Sequence, residues 1–428
     1  MIENQRIKII NQGDNTLKKE SVFSKLESGN QNWLSFGVVI ASFVVQIMSL
    51  SFGAELFWMT DWNTFLWGVI LGSVLLSVLL CISGYVGLKM RIPTAVQYGN
   101  IFGQVGARIM NLFLLPAGII WVAWMSDIAA TSVRDIFPAV PYWTVVVVIC
   151  AISVFSTIRG VKGMEQSGYI QAPIVLILVL VTVITVCVKG FSKGTIELQM
   201  NSVNTLSLLD SAVFVVLTWI SVIQLFSDFT CNVRSAKDMT IGTFVGYGFL
   251  NAVMFLAGGV FAMVCGPEYS MVRGFTAGGI PQILVLVIVL LCSWTFNDRS
   301  FYSFGLAASV VVGDKLKPWM APIVGGVVAA AIAIAGMMNS LYGVLNVLGC
   351  LYAPLLGIYI CKYYVLGGLK ECTSDFSKMI KFDWVPFVPW AVGMVLGMTL
   401  TENQSVVSFF VSFVIYFILY KIRDAVKK

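Results

Sequence analysis

Apolar runs of membrane length, separated by short charged stretches, set the pattern of this chain. A spanning helix needs about 20 apolar residues. The sequence predicts twelve: 33–59, 64–88, 109–133, 142–158, 169–188, 209–230, 240–265, 281–305, 319–337, 341–365, 385–400 and 404–421. An even number puts both chain ends on one side. The sixth run departs from the pattern. It carries Thr218, Ser221, Gln224, Ser227 and Asp228 among its apolar residues. A buried polar group costs free energy unless something pairs with it. This helix is therefore expected to line a polar pocket or path. The first run has a comparable stretch, Ser49-Leu50-Ser51-Phe52-Gly53-Ala54-Glu55, at mid-membrane depth. Two interruptible helices, five apart, point to inverted repeats around a midplane site. Close helix packing through Gly and Ser is the plainer alternative. No sequence repeat is visible by eye.

Composition agrees with the spans. The 428 residues are 58% hydrophobic and 11% charged, with mean hydropathy +0.89. Soluble domains carry roughly 25% charged residues, so a polytopic protein of the cell membrane is expected. Charge gives its orientation. The tails and even-numbered links hold 22 Lys and Arg, the other links 4, and Arg299 lies inside a predicted helix. By the positive-inside rule both termini are cytoplasmic. The net charge of +6 reflects this topology and calls for no nucleic acid. The chain has no histidine, and its nine cysteines form no C-x-x-C pair. No catalytic group, metal site, disulfide framework or cofactor is expected.

Polar groups also gather in the third and eighth runs. The third contains Trp121, Trp124 and Asp127. A carboxylate at a helix centre costs about 2.5–3.5 kcal/mol on insertion scales, so Asp127 must pair, protonate or face water. The eighth contains Ser293-Trp294-Thr295-Phe296-Asn297-Asp298-Arg299. The plain readings are interfacial tryptophans, Asp127 paired with a basic residue, Asp298 paired with Arg299 or its neighbours, Asp228 anchoring a helix end beside Arg234, and Glu55 near the outer surface. The sharper reading joins them. Aromatic faces on the third and sixth helices can sandwich a flat ring, and base–aromatic stacking is worth about 1–3 kcal/mol. An amide such as Asn297 offers both a donor and an acceptor to a heterocycle edge.

At these residues the chain resembles the nucleobase–cation symport-1 family, in its cytosine permease branch. The resemblance rests on Thr218 to Lys237, on Trp294 to Asp298 followed by Tyr302-Ser303-Phe304-Gly305, and on Gly84 to Lys89. Tyr352-Ala353-Pro354 with Gly357 and Tyr363, and Asp383-Trp384-Val385, agree as well. It implies an all-α membrane protein of about twelve helices with a leucine-transporter-like 5+5 inverted repeat and two further C-terminal helices. The implied division is a tail at 1–32, repeats at 33–188 and 209–365, helices eleven and twelve at 385–421, and a tail at 422–428. It further implies Trp121 and Trp219 as walls around a base, with Thr218 and Asn297 as contacts. Gln46 and Asp127 complete the expected substrate set. A sodium site would combine the carbonyls of Ser42 and Val45 with the Thr295 hydroxyl. The chain departs from the branch in three places: Phe296 replaces a second threonine, Cys292 an asparagine, and Gly118 a base-contacting glutamine.

The expected function is secondary active import of a nucleobase, cytosine-like, or of a related aromatic heterocycle. Alternating access would be driven by sodium or protons, with the lipid bilayer as surroundings and no obligatory protein partner. An amine, amino-acid or hydroxymethylpyrimidine-type transporter on the same fold is the alternative. A membrane-embedded enzyme or sensor is more remote, given the missing histidine and short loops.

Overall fold

A computed structural model describes residues 29–159, 162–194, 197–201, 204–266, 270–312, 320–336, 341–400 and 404–427. The predicted N-terminal tail lies outside them as far as residue 28. The described residues form helices and their connections, with one isolated bridge between Gln31 and Val233.

In chain order the helices that frame the site are α1 (Trp33–Val44), α2 (Ile47–Trp58), α3 (Trp62–Met90), α4 (Thr94–Gln97), α5 (Gly99–Ile136), α6 (Tyr142–Arg159), α7 (Lys162–Cys187), α8 (Leu208–Thr218), α9 (Ile220–Leu225), α10 (Ser227–Thr230), α11 (Ala236–Thr243), α12 (Leu250–Cys265), α13 (Met271–Ala277), α14 (Gln282–Val312), α15 (Met320–Ile334), α16 (Leu341–Ile360), α17 (Gly368–Glu371), α18 (Phe387–Thr399) and α19 (Gln404–Lys427). Among the described residues, length and apolarity identify seven single spans. Two bent pairs make broken spans: α1 with α2 at 58°, and α8 with the segment 220–230 at 53°. Shorter apolar helices at Tyr142–Thr157, Met320–Ile334 and Phe387–Thr399 fall on the remaining predicted runs.

Both predicted interruptions exist, and the first lies earlier than its polar stretch suggests. The chain leaves helical geometry at Val45 (ψ 67°) and Gln46 (φ −132°, ψ 154°). Ser49 to Glu55 lie inside the regular helix α2. Ser49 nevertheless serves the break, since its hydroxyl donates to the Val44 carbonyl at 2.6 Å. The second break is one residue wide, at Trp219 (φ −120°, ψ 14°).

Close helix approach holds the first broken span in place. α2 packs on α12, and a Cβ on Gly53 would collide with the Phe255 backbone, as one on Gly258 would with the Leu50 carbonyl. Small residues at such crossings let backbones touch, which is how helices gain packing energy where lipid supplies no hydrophobic drive. The outward faces are apolar. Ile170, Ile174, Ile177, Val181 and Ile184 are exposed at helical spacing along α7. Water does not tolerate such a stripe, and acyl chains do.

Candidate functional site

The first break frees backbone groups, because the last carbonyls of a helix have no partner within it. Side chains from this span and from two others meet them. The Ser42 carbonyl accepts from Gln46 Nε2 at 2.7 Å and from Arg299 Nη1 at 3.3 Å. The Val45 carbonyl accepts from Gln171 Nε2 at 3.4 Å. Gln171, on α7, also accepts from Thr295 Oγ1 at 2.8 Å and from Gln46 Nε2 at 3.2 Å. The three atoms expected as sodium ligands, two carbonyls and one hydroxyl, are thus engaged by this chain's own groups. All the side chains concerned are buried.

The second break gathers rings. Trp219 sits at the bend, 2% exposed, and donates its indole N–H to Asn251 Oδ1 at 2.8 Å. Trp121, on α5, donates to Ser221 Oγ at 2.9 Å, on the turn after the bend. A tryptophan whose polar end is tied down has its ring plane set, and its faces are what it offers. Phe52 of α2 meets both edge-on, 5.9 Å from Trp121 and 6.1 Å from Trp219 between ring centroids. Tyr247 closes the far side of Trp219 at 5.5 Å. The structure therefore brings the two predicted walls to one aromatic cluster, and Phe52 joins them.

The remaining predicted contacts divide. Asn297 is fully buried on α14 and donates to Ser126 Oγ of α5 at 3.3 Å. Its Oδ1 has no partner among the described residues, and neither do Gln46 Oε1 and Trp124 Nε1. Buried orphans of this kind are uncommon and call for an explanation. Thr218 turns its hydroxyl back to the Val215 carbonyl at 2.7 Å. Asp127 accepts from Tyr142 of α6 at 2.5 Å, and Tyr142 also reaches the Ala333 carbonyl of α15. The structure gives Asp127 a phenol partner there, with no hydrogen bond to the aromatic cluster. Asp298 and Arg299 diverge: Asp298 accepts from Ser156 and Thr157 of α6, while Arg299 turns to α1. Glu55 is exposed.

Below Ser221 the polar stripe of the sixth span is knitted into the protein. Gln224 accepts from the Tyr98 hydroxyl at 2.7 Å and donates to the Tyr352 carbonyl at 3.0 Å. Ser227 donates to the Ser83 carbonyl at 2.9 Å and lies 3.2 Å from the Tyr359 hydroxyl. Asp228 accepts from the Thr94 amide at 2.6 Å, at the start of α4, while Arg234 pairs with Asp238 at 3.1 Å. The polar groups of this half are met by the protein's own groups. A cavity of about 240 Å³ opens instead near the start of α8, lined by Asp210, Leu217, Tyr342 and Gln404 among others.

Sequence reasoning missed Phe52, Gln171 and Asn251 as members of these clusters. Gln171 and Asn251 carry a weaker form of the signal that marked the sixth run, a single amide rather than a cluster of polar residues in an apolar segment. Phe52 carries no such signal.

Comparison with known proteins bears on the family and the fold. A sequence profile for the family described as permeases for cytosine/purines, uracil, thiamine and allantoin matches residues 27–419. The cytosine permease of Escherichia coli O157:H7 is 24% identical over 384 residues, covering 84% of this chain and 85% of that protein. The cytosine permease of Escherichia coli K12 matches to the same extent. Among solved structures, Mhp1, a nucleobase-cation-symport-1 family transporter, superposes in its inward-facing conformation with a TM-score of 0.78 at 16% identity, over 94% of this chain and 95% of that one. Its closed, bromovinylhydantoin-bound form gives 0.74 at 16% identity, over 95% of each chain. A Na+-coupled sialic acid symporter gives 0.67 at 14% identity, over 92% of this chain and 90% of that one. The fold is accordingly of the leucine-transporter-like class. With its profile match over almost the whole length, this chain belongs to the family of permeases for cytosine/purines, uracil, thiamine and allantoin.

Proposed function

We propose that this permease imports a flat, neutral heterocycle of nucleobase size by cation-coupled alternating access, and that the base stacks on Trp121 and Trp219. One observation carries the reading most: two indoles from different spans, pinned by Ser221 and Asn251, converge on one Phe52 ring at the bend of the sixth span. A ligand between the indoles would displace Phe52 or slide beside it, trading one ring contact for another. The spare acceptor on Asn297 and the spare donor on Trp124 suit a base edge, which offers both kinds of group. The relatives' name, cytosine permease, points to the same substrate class. The proposed setting is the cell membrane, with both termini cytoplasmic, as the basic residues suggest.

Uptake of radiolabelled cytosine, uracil, purines and hydroxymethylpyrimidine into proteoliposomes tests the reading, with sodium and pH gradients imposed separately. Accumulation of at least one base above leak is expected; none for any of them sinks the proposal. The amine-transporter alternative would have Asp127 hold the substrate. The bond from Tyr142 speaks against that role, and competition by amines against bases decides between them.

A further inference from the structure

Arg299 is a basic residue placed well inside a predicted span, away from its ends, and the transport reading leaves it without a role. It is buried, 9% exposed. Among the described residues no carboxylate forms an ion pair with it. Its sequence neighbour Asp298 is taken by hydroxyls of α6. The guanidinium lies 5.5 Å from the centre of the Phe43 ring and donates through Nη1 to the Ser42 carbonyl, while Nη2 has no partner among the described residues. Asp298 still attracts it from beyond ion-pair distance, but a buried cation without a close carboxylate is expensive. What offsets the cost is the C-terminal end of α1, where the helix dipole and freed carbonyls present partial negative charge.

That end is where the family resemblance puts a sodium ion, so the fit of sodium can be judged on this chain's own atoms. The fit is poor. The Ser42 carbonyl already accepts from Gln46 and Arg299, and the Val45 carbonyl from Gln171. The Thr295 hydroxyl, which donates to Gln171 and lies 3.1 Å from the Cys292 carbonyl, is the one expected oxygen with lone pairs still open to a cation, and Phe296 stands where a second hydroxyl would help. A sodium sharing the Ser42 carbonyl would lie about 4 Å from the guanidinium. Repulsion at that range in a protein lowers affinity about a thousand-fold. We infer that the Arg299 guanidinium is a tethered cation standing where a coupling sodium would bind, so that uptake by this protein does not require sodium.

The inference rests on the transport reading, and two measurements separate their failures. In proteoliposomes, base uptake is compared in sodium chloride and in N-methylglucamine chloride of equal ionic strength. Rates within twofold of each other are expected; a tenfold dependence on sodium overturns the inference and leaves transport standing. Binding of radioactive sodium to the purified full-length protein is measured independently of any base. No saturable binding up to 100-fold above ordinary millimolar affinity, about 100 mM, is expected, and saturable binding below that overturns it even if no base is transported. Two variants test the residue itself. Arg299→Gln should lose at least tenfold of sodium-free uptake, with Arg299→Lys, which keeps the charge, recovering most of it. Full sodium-free uptake by Arg299→Gln, or equal failure of a folded Arg299→Lys, would show that the tethered charge is not what the site needs.

Discussion

The two broken spans meet the same problem in opposite ways. At Val45 and Gln46 the backbone runs extended, and the freed carbonyls are met by two amides and a guanidinium from this span, α7 and α14. At Trp219 only one residue leaves the helix, and the ladder resumes at once, with the Ile223 amide donating to the Trp219 carbonyl at 2.9 Å. Rings, not donors, gather there. The wider break creates charge that the protein must answer itself. The narrower one creates little, so its surroundings are free to be aromatic and to offer π faces to a ligand. On the proposed reading, the first break belongs to the mechanics of the cycle, and the second to the substrate.

Substitutions at each break test that division. The largest effect is expected for Trp219→Ala. Loss of stacking worth about 1–3 kcal/mol should weaken base binding roughly 5- to 150-fold, seen as a raised KM in uptake, while Trp219→Phe keeps much of the affinity. Undiminished transport would take this residue out of the site. Next comes Gln171→Leu at the other break. It strands the Val45 carbonyl, at about 1–3 kcal/mol for a group left unpaired, while the Thr295 hydroxyl falls back on the Cys292 carbonyl. The Tm in detergent and the maximal uptake rate should both fall, with KM for the base unchanged. A raised KM at unaltered Tm would mean that the two breaks form one substrate site.

Asn297→Ala should act more narrowly. Losing an acceptor that can receive a base amino group should cut the preference for an amino-bearing base over its keto counterpart by about tenfold. Competition assays read this directly, and an unchanged preference would assign Asn297 to packing. The smallest effect belongs to Asp127→Asn. An amide oxygen still accepts from Tyr142, so uptake and its pH dependence should stay within about twofold of the parent. A changed pH profile or a new tolerance for amines would restore a substrate role to that carboxylate.

Much of this was legible before any coordinates. The apolar runs, the asymmetry of basic residues and the polar stripe of the sixth span all follow from one rule, that lipid does not solvate polar groups. The same rule marked Trp121, Trp219 and Asn297 by the company they keep. It failed for Phe52, because a phenylalanine in an apolar helix looks alike whether it faces lipid, core or ligand. It misplaced the first break by several residues. Ser49 and Gly53 look like weak points, but one caps the break through Val44 and the other permits contact with α12.

By itself the sequence determined that this is a helical membrane protein and which two spans are broken, because burial in lipid penalises every unpaired polar group along the chain. Only the tertiary structure decided which partner each polar group takes. Asp298 goes to α6 and Arg299, one residue on, to the open end of α1, while Asp127 goes to Tyr142. Neighbours on a helix point about 100° apart, so adjacency in sequence says little about pairing, and the packing of distant spans settles it.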